Sequence, residues 1–129
     1  MNQHQFHPVS AMDYLPVEQL RQVQFKRLKQ IVQRAYDNVA LFRKRMDESH
    51  ISPDNIRALE DISLLPFTVK SDLRDTYPFG LFASSLRDVV RLHASSGTTG
   101  KPIVVAYTKD DVKVWTQVMV RSFASCGLH

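Results

Sequence analysis

The stretch Ser95-Ser96-Gly97-Thr98-Thr99-Gly100-Lys101-Pro102 decides how the rest of the chain is read. Four hydroxyl side chains, two glycines and a lysine run up to a proline, and those are two of the four glycines in 129 residues. Glycine admits backbone conformations that a Cβ forbids and lets a ligand come close to the chain. Successive N–H groups in such a turn converge into an anion-binding concavity, and hydroxyls at its rim add donors. Lys101 supplies positive charge. The composition is that of a loop for nucleotide phosphates, with Ser95, Ser96, Gly97, Thr98, Thr99, Gly100 and Lys101 as the candidate contacts.

A Walker A loop does not fit these residues. That motif has four residues between its first glycine and Gly-Lys, then Ser or Thr for magnesium, and it opens a helix. Here Thr98 and Thr99 alone separate Gly97 from Gly100, and Pro102 stands at the magnesium position. The flanks, Asp88 to His93 and Ile103 to Tyr107, are rich in β-branched residues and read as strands. The loop therefore joins strand to strand, and phosphate binding there rests on N–H groups, hydroxyls and Lys101 without a helix dipole.

On the C-terminal side, Thr108-Lys109-Asp110-Asp111 has the form of a capping box with Thr108 as the cap. Val112, Trp115, Val118, Met119, Ser122, Phe123 and Cys126 then follow at helical spacing and read as one buried stripe. On that stripe Trp115 and Met119 are core residues, and Cys126 is a small hydrophobe without a nucleophilic role.

The N-terminal side reads as helical. Residues 1–12 form a loose arm, whose His4 and His7 lack the partners a metal site requires. A long helix runs from Pro16 to about Tyr36, with Leu28, Ile31, Val32 and Ala35 at helical spacing. A shorter one covers Leu41 to Glu48, and Ser52-Pro53-Asp54 opens another through Leu59. Pro66 closes the Ile62–Leu65 segment, and Thr68 caps a short helix containing Lys70, Asp72, Leu73 and Arg74. Lys70, at the start of that helix, is a candidate phosphate contact. Tyr77-Pro78-Phe79-Gly80-Leu81-Phe82 is an aromatic turn that packs on the core.

Composition bounds the function. The 43% hydrophobic content fits a globular protein, and the net charge of +4 is modest. No apolar run approaches the ~20 residues of a membrane span, and the first residues do not form a signal peptide. One cysteine cannot make an internal disulfide, and a cytoplasmic protein fits. Between Arg21 and Arg45 eight basic residues meet one acid, Asp37, so a nucleic-acid binder is weighed. The favoured reading is a solvated helix face, since no nucleic-acid module is present.

With these residues in hand, the chain resembles the AMP-forming adenylate-forming enzymes, and within them the phenylacetate–coenzyme A ligases. The resemblance runs from about Tyr14 to Gly127. It is carried by Leu65-Pro66-Phe67-Thr68-Val69-Lys70-Ser71-Asp72-Leu73-Arg74, by Tyr77 to Phe82, and by His93-Ala94 leading into Ser95 to Pro102. Lys101 precedes Pro102, as in those ligases, whereas most of the superfamily has its loop lysine after the proline.

The resemblance implies an α/β fold: a helical region over 13–86, then, over 87–129, the start of the sheet of an AMP-binding domain as strand, phosphate loop, strand and helix. It implies activation of phenylacetate or a related arylacetate with ATP and magnesium, through an acyl-adenylate, to the thioester of coenzyme A. The partners implied are these small molecules, not nucleic acid or membrane, with a homodimer as the assembly open to the full-length enzyme. Family members are roughly three times this long, so the chain is expected to be an N-terminal fragment. The catalytic lysine and the adenine- and aryl-binding segments lie outside it, leaving no catalytic residue here and the fragment alone inactive. The alternatives are a non-catalytic nucleotide-binding or interaction fragment and a basic nucleic-acid-binding helical module.

Overall fold

The computed structural model describes residues 8–95 and 102–127. Helices α1 (Val17–Asn38) and α2 (Ala40–Glu48) pack on one another, followed by the short α3 (Lys70–Asp75). Strands β1 (Val89–Ser95) and β2 (Ile103–Thr108) pair antiparallel, and α4 (Lys109–Ser125) follows without a break. Helical elements followed by strand, loop, strand and helix are the expected order.

The core sits between α1 and α2. Val32, Met46 and Ile56 are buried, with Phe25, Leu28, Tyr36, Phe42, Ile51 and Leu65 packed round them. Pro16 is the residue before α1 and not its first, and its carbonyl accepts the Leu20 N–H at 3.0 Å. Val39, buried and extended (φ −112°), separates α1 from α2 while its N–H still reaches the Ala35 carbonyl. Helix α2 ends where His50 takes a left-handed φ of 55°, so the Ile51 N–H returns to the Met46 carbonyl at 2.9 Å. Ile31, at the helical spacing of Leu28 and Val32, is 64% exposed and is not part of the core cluster.

Three local expectations are corrected. The helix expected from Pro53 to Leu59 is only a 3-10 turn, Pro53–Asn55. The Asn55 side chain accepts the Ser52 N–H at 2.7 Å, and Ile56 then extends to drop its side chain into the core. The Asp61 carboxylate accepts the N–H groups of Arg57 and Ala58, each at 2.7 Å, and starts a second 3-10 turn, Leu59–Leu64. Such side-chain bonds compete with a helix for the same backbone groups. At α3 the cap position is Val69, not Thr68, and the Asp72 carboxylate accepts the Val69 N–H at 2.8 Å. Of the loose arm, residues 1–7 lie outside the described residues, and Pro8–Tyr14 is a 3-10 turn packed on α4, with Asp13 paired to Arg121.

The aromatic turn closes tightly. Its Tyr77–Pro78 peptide is cis, and the Gly80 N–H donates to the Thr76 carbonyl at 2.8 Å. A Cβ at Gly80 would lie 2.7 Å from Thr76, which is why glycine stands there. Phe79 and Phe82 pack ring on ring, 5.2 Å between centroids.

In the hairpin, Ser95 pairs with Ile103 at one end and Val89 with Thr108 at the other, with a bulge between Val89 and Arg91. Strand side chains alternate between faces. His93 and Tyr107 meet Trp115 of α4, the Tyr107 and Trp115 rings stacked at 5.5 Å. Val104 and Ala106 line a groove of 290 Å³ with Leu73 of α3 and Ile31 of α1.

The expected buried stripe of α4 is a further correction. Trp115 is 42% and Phe123 50% exposed, with Val118 and Met119 similar, and Cys126 is exposed as well. The stripe is present, but the hairpin is too narrow to cover it. Among the described residues no helix is long and apolar enough to cross a membrane.

Candidate phosphate site and its support

Ser95 is the last residue of β1 and is exposed. Ser96, Gly97, Thr98, Thr99, Gly100 and Lys101 lie outside the described residues. The seven residues 96–102 run between the paired ends Ser95 and Ile103. A strand precedes the stretch and a strand follows it, as its flanks predict. Lys70, the other candidate, is exposed at the first residue of α3.

What holds α3 in place was not read from the sequence. Asp72 is 5% exposed and is the one buried residue of that helix. Its two carboxylate oxygens accept from the Arg45 guanidinium at 2.6 and 2.8 Å, a two-point pair between α2 and α3. Arg45 also donates to the Phe67 carbonyl at 2.8 Å. The Thr76 hydroxyl donates to the Asp72 carbonyl at 2.6 Å. Planar, charge-assisted pairs of this kind fix orientation as well as distance. The Arg45 bonds, and after them the Val69 N–H, hold the Asp72 carboxyl below its ordinary range; the same bonds to Asp72 raise Arg45. A signal did exist, since an acid at the third helical position is a capping position, but its partner 27 residues earlier leaves no periodic trace.

Four of the eight basic residues between Arg21 and Arg45 are engaged by the protein itself. Arg21 pairs with Glu60, and Arg45 with Asp72. Arg43 donates to the carbonyls of Tyr36 and Asp37 and lies over the Tyr36 ring, 5.3 Å from its centroid. Lys44 faces Glu48 at 3.8 Å. Among the described residues no group of three or more His, Cys, Asp or Glu could hold a metal ion; His4 and His7 lie outside them.

Helical region, hairpin and α4 together define a class. The fold is similar to that of 2-hydroxyisobutyryl-CoA ligase in complex with 2-HIB-AMP and CoA in the thioesterification state, with a TM-score of 0.79 at 21% identity over 96% of this chain and 29% of that one. An open conformation of that ligase matches with a TM-score of 0.77. The chain thus has the fold of the corresponding part, under a third, of that ligase.

Sequence narrows the class. The chain is 52% identical over 116 residues to the phenylacetate–coenzyme A ligase of Thermus thermophilus, 90% of this chain and 26% of the relative. It is 51% identical over 119 residues to that of Pseudomonas putida, and 49% identical over 123 residues to that of Aromatoleum evansii. This stretch belongs to the phenylacetate–coenzyme A ligase family, and it spans about a quarter of the length of the curated relatives it matches. No family model matches the chain.

Proposed function

We propose that this chain is part of an ATP-dependent phenylacetate–coenzyme A ligase and carries its phosphate-handling loop. The observation behind this reading is the identity of about half over nine-tenths of the chain to ligases of that name. In the first half-reaction a carboxylate oxygen of phenylacetate, or a related arylacetate, attacks the α-phosphorus of ATP. The bond from that phosphorus to the bridging oxygen breaks, and pyrophosphate leaves. In the second, the coenzyme A sulfur attacks the acyl carbon of the adenylate, loses its proton and displaces AMP.

The first step brings two anions together, and preorganised donors aimed at the charge that develops are what lower such a barrier. Ser95 to Lys101 are assigned to the β- and γ-phosphates of ATP, which enters as its magnesium salt. Lys70 is assigned a contact to the terminal phosphate. No catalytic residue is assigned within the 129 residues, and the complete reaction is assigned to the native-length protein. A cytoplasmic location, small-molecule partners in place of nucleic acid or membrane, and a homodimer of the full-length enzyme complete the reading. Intramolecular engagement of Arg21, Arg43 and Arg45 favours it over the nucleic-acid alternative.

Product analysis is the test. The native-length protein, given magnesium–ATP, phenylacetate and coenzyme A, is expected to form AMP, pyrophosphate and thioester in equal amounts. Formation of ADP and phosphate, or no turnover dependent on an arylacetate, contradicts the assignment.

A further inference from the structure

We infer that Arg45 and Asp72 are a positioning pair for the ATP half of the reaction, setting the strand that leaves the phosphate loop. The inference rests on the function proposed above and adds two residues to its machinery. Its ground is how α3 is attached. In the segment from Phe67 to Thr76 no apolar side chain is buried, and Phe67 itself is 91% exposed. The buried member is Asp72, and it is held by Arg45, whose neighbour Met46 lies at the centre of the core. The segment is therefore tied to α2 at two places by one guanidinium, through the Asp72 carboxylate and the Phe67 carbonyl.

Helix α3 in turn rests against β2. Leu73, next to Asp72, shares the groove wall with Val104 and Ala106, so a shift of α3 changes what β2 packs on. Strand β2 begins at Ile103, two residues after Lys101. The order of contacts is thus core, Arg45, Asp72, Leu73, β2. An ion pair suits this place better than apolar contact would, because its fork geometry admits one orientation.

The test uses the native-length protein and phenylacetate-dependent exchange of labelled pyrophosphate into ATP. Arg45→Met and Asp72→Asn are compared with the reversed pair Arg45→Asp/Asp72→Arg. A displacement of ~1 Å near a reacting centre can cost about a hundredfold, so each single variant is expected to raise the KM for ATP by about tenfold or more. The KM for phenylacetate should change less than about twofold, on the same argument that the effect is confined to the phosphate side. The reversed pair is expected to recover part of the loss. A pair that merely holds the fold lowers activity in proportion to the folded fraction, seen by circular dichroism, with both KM values unchanged; that result overturns the inference. Unchanged kinetics in both single variants overturns it too. Absence of exchange in the unaltered protein overturns the underlying function together with it, and is told apart by that control.

Discussion

Asp72 keeps a charge where little water reaches it, and two donors make that possible: the Arg45 fork and the Val69 N–H. Its carboxyl is held below the ordinary range, so the sign of its pH dependence follows. The stabilisation is complete above the unfolded value, about 4 for an aspartate, and is lost as pH falls through the lower folded value. Asp72→Asn is therefore expected to be less stable than the unaltered protein at pH 7. The deficit should shrink below about pH 4, where the unaltered protein loses the same interaction. Denaturant melts at both pH values measure this, and a deficit independent of pH contradicts the assigned pair. Met46 tests the apolar side of the same junction. It is fully buried between Val32 and Ile56, and Met46→Ala should cost about 2–5 kcal/mol. A loss under about 1 kcal/mol would show that this cluster is not the core.

At the scale of elements, what could be read locally was read well. Periodicity located α1 and α2, β-branched runs located both strands, and Thr108 with Asp111 marked the start of α4. The reciprocal box is present: the Asp111 N–H donates to the Thr108 hydroxyl oxygen at 3.2 Å, and the Thr108 N–H to the Asp111 carboxylate at 2.8 Å. Thr108→Ala should cost about 1 kcal/mol and speed amide exchange in the first turns of α4 while leaving α1 unchanged. Equal exchange in both proteins would contradict the role of the cap. Elements decided by competition were harder to read. Pro53 signals a helix start, yet Asn55 and Asp61 take the backbone donors and leave two short turns. Asp72 was legible as a capping acid but its tie to Arg45 was not, because nothing in either local pattern names the other.

For the molecule as a whole, the apolar stripe of α4 taught the opposite lesson. Helical spacing correctly told which residues share a face, but spacing carries no information on what covers that face. In the 129-residue chain Trp115, Val118, Met119 and Phe123 remain substantially exposed beside the two-stranded hairpin. Exposed apolar patches of this kind drive association. The isolated chain is expected to self-associate in sedimentation and to release no AMP from ATP, phenylacetate and coenzyme A. A monodisperse chain with full turnover would contradict the division of labour argued above.

The central claim is that Ser95 to Lys101 steady the ATP phosphates while the acyl-adenylate forms. Its most direct measurement is phenylacetate-dependent exchange of pyrophosphate into ATP by the native-length protein and its Gly97→Val and Lys101→Ala variants. Loss of one preorganised donor to a transition state costs about a hundredfold or more in rate. Lys101→Ala removes such a donor, and Gly97→Val adds a side chain where close approach of the phosphates is proposed. Both variants are therefore expected to fall by at least that factor with melting temperatures close to the unaltered protein's. Exchange at the unaltered rate in both would contradict the claim.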